Sequence, residues 1–248
     1  MERDDQAPVA TFFVDSPMLP SAITTLGESA AHHARVKRLD VADIVRLTDG
    51  IGHVATGTIA TLRRASVDVA LDRVDDVRRL PQIHLRVPVG DRDRMLWLAE
   101  KATELGIATW QAVRFRRSAS VSSRGEGPAF TNKVRARMIS ALEQSGGAWL
   151  PEIKPDVSVD ALTFAERENP IALDRAGEPL VSVASVASNV NVQPVVVFGP
   201  EGGIERDELD RLMAAGWRRA SLGPTTLRFE TAGIAAIAVL RAAQLNRS

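Results

Sequence analysis

Gly199-Pro200-Glu201-Gly202-Gly203 and Leu222-Gly223-Pro224-Thr225-Thr226-Leu227-Arg228-Phe229-Glu230 set carboxylates and one arginine among glycines. Glycines let a ligand lie close to the backbone. Neither stretch is G-x-G-x-x-G, and neither carries the Lys-Ser/Thr of a phosphate loop. With Glu201 in the middle of the first, the pair suits a ligand that has an adenine and a positive charge but no phosphate. An ordinary strand-to-helix turn with a solvated Glu201 accounts for the first loop equally well when it is taken alone.

The elements around them fix where these residues point. Val195–Phe198 and Ala220–Leu222 are apolar runs too short for helices and bounded by turn signals, so each reads as a buried strand. Helices are expected after them, at Asp207–Ala215 and Thr231–Leu245. Two parallel strands would present both loops at their carboxyl ends, where open α/β sheets bind ligands.

Four other stretches accompany the loops: HHARVKR at His32–Arg38, DGIG at Asp49–Gly52, KATELGI at Lys101–Ile107 and ALEQSGGAWLPEI at Ala141–Ile153. By its own composition DGIG is a hairpin turn, since it lacks a third glycine and a strand-like run comes after it. Taken with GPEGG and LGxxxLRxETA, the set resembles the RsmE family, SPOUT-class methyltransferases that act on N3 of a uridine in 16S ribosomal RNA of the small subunit. The resemblance spans nearly the whole chain. It departs at Thr225-Thr226, where the family often has an arginine and an aliphatic residue, and at Lys37, where it often has leucine.

The resemblance implies a fold, a cofactor and a set of contacts. Residues 1–75 would form a PUA-like β-barrel domain that binds RNA. Residues 76–248 would form a SPOUT α/β domain whose C-terminal segment, around Ala220–Leu245, threads a loop as a trefoil knot and holds S-adenosylmethionine. The cofactor would lie against Leu173, Phe198, Gly199, Pro200, Glu201, Gly202, Gly203, Leu222, Gly223, Thr226 and Leu227. RNA would meet His32, Arg35, Lys37, Arg38, Lys101, Arg114, Arg116, Arg117 and Ser118. The implied partners are small-subunit ribosomal RNA, in an assembled or nearly assembled subunit, and a second copy of the chain.

Methyl transfer from a sulfonium to a uracil nitrogen needs three things. The nucleophile must sit in line with the methyl carbon, the imide proton must leave, and charge developing on the uracil oxygens needs a donor. Arg228 is the candidate donor. Glu201, Glu230 and Glu104 are candidate bases, with solvent as a further taker of the proton. Plainer readings stand beside these: an acid at a helix N-terminus for Glu230, and a helix-surface ion pair for Lys101 and Glu104. The rivals to the whole reading are a SPOUT enzyme acting on another RNA or at a ribose 2'-oxygen, and a non-catalytic RNA-binding protein.

Composition narrows the classes. At 248 residues with 45% hydrophobic content, the chain can bury a substantial core. No cysteine is present, which removes disulfides, thiolate metal sites and a cysteine nucleophile. His32, His33, His53 and His84 have no metal-ligand spacing, so no metal is expected. No run approaches the ~18 apolar residues of a membrane span, and Met1–Val9 is acidic and polar, so a cytoplasmic protein is expected. Net charge is zero, yet Gln111–Ser140 holds seven Lys/Arg against one acid, Glu126. Such a basic stretch on a neutral protein can grip phosphates.

Along the chain, strands are expected at Thr11–Val14, Ile44–Leu47, His53–Ala60 and Ser66–Leu71, with a helix at Gly27–Arg38. Val74–Pro81 reads as a linker. Then come a strand at Ile83–Val89, a helix at Arg92–Leu105 stopped by Gly106, a strand at Ile107–Val113 and an irregular loop over Phe115–Pro128. A helix at Ala129–Gly146, a short strand at Ile171–Leu173 and a short helix at Leu180–Val186 precede the glycine loops. Alternating strands and helices imply a mostly parallel sheet. Trp97, Trp110, Trp149 and Trp217 read as core or dimer contacts.

Overall fold

The computed structural model describes residues 7–120, 124–186 and 192–245. It divides into two compact units, Met1–Arg79 with Ile139–Leu150, and Leu80–Met138 with Pro151–Ser248.

In the first unit, β1 (Thr11–Phe13), β2 (Ile23–Leu26), α1 (Glu28–Val36), β3 (Ile44–Thr48), β4 (His53–Leu62) and β5 (Val67–Asp76) come in order. The sheet order is β1-β3-β4-β5-β2. β1 lies parallel to β3 and the other pairs are antiparallel. Two register shifts, at Thr56/Gly57 and Ile59/Thr61, bend β4 against β5 and curl the sheet. Inside the curl lie Phe12, Val45, Leu47, Ile59, Val67 and Val69, closed by Ala31 and Ala34 of α1. The DGIG turn packs under a tryptophan. A Cβ on Gly52 would lie 2.3 Å from Trp149 Cζ2, and Gly52 has φ +111°, so both space and backbone demand glycine there. β2 was not expected, and β5 runs on to Asp76, so the stretch read as a linker begins as strand.

In the second unit, β6 (His84–Pro88), α2 (Arg92–Glu104) and β7 (Thr109–Arg114) lead to a short 3-10 helix at Arg116–Ser120. After α3 (Pro128–Ser145) come β8 (Glu152–Ser158), β9 (Glu168–Pro179), α4 (Leu180–Val186), β10 (Gln193–Val197), α5 (Arg206–Ala214), β11 (Arg218–Ser221) and α6 (Phe229–Leu245). The sheet order is β11-β9-β10-β6-β7-β8 and every pairing is parallel. Strands covered on both faces are mostly apolar, and β6 (with His84 and Arg86 among its buried residues) and β10 are buried almost throughout. The edge strand β8 is not, because it carries Lys154, Pro155 and Asp156. The segment expected to be an irregular loop holds the 3-10 helix; its residues 121–123 lie outside the described ones.

Helix α6 is held against α2 at both ends of their contact. Gly233 lets it approach: a Cβ there would lie 2.9 Å from Phe198 Cζ and 3.0 Å from Leu98 Cδ1. Further along, the Arg241 guanidinium donates to Leu105 O (3.3 Å), Gly106 O (2.7 Å) and Pro81 O (2.7 Å). Two of these carbonyls sit at the C-terminal end of α2, where a cation is favoured. Each such charge-assisted bond contributes about 1.5–3 kcal/mol. The start of α6 is thereby fixed beside the start of α2.

Candidate functional site

At the carboxyl ends of β10 and β11, beside the middle of β9, an open cleft of about 270 Å³ is walled by three segments. The first is a detour in β9. Arg219 of β11 pairs with Ala172 but Ala220 pairs with Glu178, so residues 173–177 leave the ladder, and Leu173, Asp174 and Arg175 face the cleft. Gly177 brings the strand back, since a Cβ there would lie 2.6 Å from the Ala220 backbone. The second wall is residues 198–204 after β10, and the third is drawn from residues 221–227 with Phe229 and Ala232 of α6. Gly223 has φ +135°, and a Cβ on it would meet no protein atom within 4 Å. Its backbone thus borders open space, as a ligand cradle requires.

Every residue expected to hold the cofactor lines this cleft. Asp174, Arg175, Ile204, Ser221, Thr225, Phe229 and Ala232 line it as well, and sequence reading missed them. Phe229 and Ala232 were findable, being one helical turn apart on the same face. Arg228 is exposed just past cleft-lining Leu227, and among the described residues it makes no ion pair.

The candidate bases separate. Glu201 lines the cleft, with Oε1 3.5 Å from the Asp91 amide nitrogen. Glu230 is 7% exposed and does not line it; its Oε2 is buried with no hydrogen-bond partner. Glu104 lies at the far end of α2, where its Oε1 accepts from Lys101 Nζ at 2.8 Å. The hydrogen bond from Lys101 to Glu100, with that to Glu104 second, raises the Lys101 pKa. Lys101 and Glu104 therefore form the surface pair that their spacing allowed.

The basic residues also separate. His32, Arg35, Lys37 and Arg38 are exposed on α1 and just beyond it, with no ion pair among the described residues. Arg116 is engaged: its Nη1 lies 2.9 Å from Glu205 Oε2, its Nη2 meets Asp207, and its Nε lies 3.7 Å from Glu208 Oε1. The Asp207 hydrogen bond raises the Arg116 pKa, and the same bond lowers that of Asp207. The Arg117 Nη1 donates to Gly202 O, and the Arg117 stem packs against Gly202. Ser118 is 3% exposed and its Oγ accepts from the Phe115 amide at 3.3 Å. That leaves it as a turn-stabilising residue without a face for RNA. Arg114, at the end of β7, is exposed.

Among the described residues no His/Cys/Asp/Glu group could hold a metal ion. The chain matches a family model described as an RNA methyltransferase domain over residues 78–241, and one described as an RNA methyltransferase PUA domain over residues 26–72. It is 29% identical to the Ribosomal RNA small subunit methyltransferase E of Mycobacterium bovis, over 91% of this chain and 88% of that protein. A Legionella pneumophila protein solved in complex with S-adenosylmethionine superposes with a TM-score of 0.80 at 25% identity, covering 96% of this chain and 98% of the other. The Ribosomal RNA small subunit methyltransferase E of Neisseria gonorrhoeae, solved with S-adenosylmethionine, has a TM-score of 0.82 at 24% identity, covering 94% and 97%.

Proposed function

Because this chain belongs to the RsmE family of SPOUT-class ribosomal RNA methyltransferases, we propose that it methylates N3 of a uridine in 16S ribosomal RNA of the small subunit, using S-adenosylmethionine. The observation that carries the reading is the cleft. Two glycine loops and the β9 detour wall it together, and Gly223 leaves space beside its backbone that no protein atom fills.

When bound, S-adenosylmethionine supplies a methyl carbon activated by its sulfonium. The residues present fit such a ligand: Leu173, Phe198, Leu222 and Leu227 give apolar wall, and the glycines give close backbone approach. Glu201 puts a carboxylate beside a cationic ligand. Arg228, exposed at the rim, donates to a uracil oxygen as charge develops there. Glu201 takes the imide proton, which is supported by its place on the cleft wall while Glu104 is spent on Lys101. The exposed cations of α1 hold RNA phosphates.

The family resemblance further supports a trefoil knot formed by the segment through β11 and α6, and a homodimer. Trp97 on α2 is 47% exposed and Ile234 and Val239 on α6 are both part-exposed, as residues of a subunit interface would be in one separated chain. Among the described residues no helix is long and apolar enough to cross a membrane, in keeping with a cytoplasmic enzyme acting on assembled or nearly assembled subunits. Nucleoside mass spectrometry of small-subunit RNA from a deletion strain tests the reaction. Loss of 3-methyluridine, restored by the gene, is expected. Loss of a ribose-methylated nucleoside, or of none, would contradict it.

A further inference from the structure

Arg94 stands where no motif drew attention to it. Asp91 caps α2, its Oδ1 accepting from the Asp93 and Arg94 amides at 3.1 Å each, so the first helical turn is rigid. From that turn the Arg94 guanidinium faces two carboxylates, one on a wall of the cleft and one at the start of α6. Its Nη1 lies 4.0 Å from Glu201 Oε1, on the loop after β10. Its Nε lies 4.0 Å from Glu230 Oε1, at the start of α6. The other oxygen of Glu230 is buried without a hydrogen-bond partner, a costly arrangement for a carboxylate unless a cation stands close. The approach is tight: a Cβ on Gly90 would lie 3.3 Å from Glu201 Oε2 and 3.1 Å from Phe229 Cε1.

We propose that Arg94 is a positioning residue that ties the first cofactor loop to the start of α6, through Glu201 on one and Glu230 on the other. This rests on the reading of the cleft as the cofactor site. Glu230 does not line the cleft, so any effect it has on the cofactor must pass through a neighbour. Arg94 is the cation placed to transmit it. The guanidinium suits the task because its donors are spread over a planar fork and can serve two carboxylates at once, whereas an ammonium is a point charge.

Calorimetric titration of S-adenosylmethionine into folded variants tests the tie, alongside RNA affinity and single-turnover rate at saturating cofactor. Arg94→Met is expected to weaken cofactor binding about fivefold, the upper scale of a partly exposed ion pair. RNA affinity and the saturated rate should change less than about threefold on that scale. Arg94→Lys should recover part of the loss. Glu230→Gln should weaken the cofactor in the parent but add nothing to Arg94→Met, because the two act as one unit. Should Glu230→Gln fail to fold, Glu230→Asp, which keeps the charge but draws it back from Arg94, serves in the same cycle. Additive losses, an Arg94→Met affinity within twofold of the parent, or a fall confined to the saturated rate would each overturn the tie. Gly202→Val separates the two levels. If it abolishes cofactor binding while Arg94→Met leaves affinity within twofold of the parent, the Arg94 inference alone fails; if neither changes binding, the cleft assignment fails with it.

Discussion

Two basic stretches read alike in the sequence, His32–Arg38 and Arg114–Ser118, and the fold puts them to different uses. On α1 the cations project from a helix whose alanines face the core, and among the described residues they have no ion pairs. Beyond β7 Arg116 and Arg117 are exposed but already engaged within their own unit. Arg116 meets Glu205, Asp207 and Glu208 at the start of α5, and Arg117 supports Gly202. A free cation lends its charge to a phosphate and releases a counterion. A paired one must first give up its carboxylates. Counting Lys and Arg therefore overstates the charge free to meet a phosphate, and part of the second stretch braces a loop of the cleft.

The comparison can be broken by variants on either side. Replacing Arg35, Lys37 and Arg38 together with glutamine should cost the most. RNA affinity should fall by tens of fold near physiological salt, and the slope of log K against log salt should flatten by about two to three. A slope unchanged by the triple variant would remove α1 from the RNA surface. Arg117→Gln should have a smaller and different effect. Cofactor affinity should drop a few fold, the scale of one hydrogen bond, while the RNA salt slope stays as in the parent. A flattened slope with intact cofactor affinity would make Arg117 a phosphate contact after all.

The smallest effect is a titration. Arg116 holds the Asp207 carboxyl below its ordinary value. A depressed folded-state pKa means the pair stabilises the start of α5 above the unfolded aspartate value of about 3.9 and is lost as pH falls through the lower folded one. The Asp207 carboxyl carbon resonance should therefore titrate below the ordinary aspartate range, and Arg116→Gln should raise it toward that range, with Arg211 keeping part of the depression. A normal midpoint in the parent would show the pair to be loose in solution.

The same physics decides which elements were legible in the sequence. A buried parallel strand such as β10 announces itself as an apolar run, and the glycine loops announce a place where backbone meets ligand. The edge strand β8 hides because Lys154-Pro155-Asp156 breaks the pattern, and β2 because Ile-Thr-Thr-Leu is short. The far half of β9 hides because Asp174–Pro179 is polar. That same polarity accompanies the detour that brings Asp174 and Arg175 to the cleft. Arg94 could not be singled out, since one arginine in Asp-Arg-Asp-Arg at a helix start reads as solvated charge. Only the fold brings Glu201 and Glu230, far along the chain, within reach of it.

If the cleft carries out methyl transfer with Arg228 at its rim, the most direct measurement is a single-turnover assay of Arg228→Ala beside its RNA and cofactor affinities. An interaction made only in the transition state lowers the rate and spares ground-state binding. Both affinities should stay near those of the parent, and the rate should be lower by roughly a hundredfold or more, the scale for losing one such donor. An unchanged rate with weakened RNA binding would contradict this assignment and make Arg228 a positioning contact.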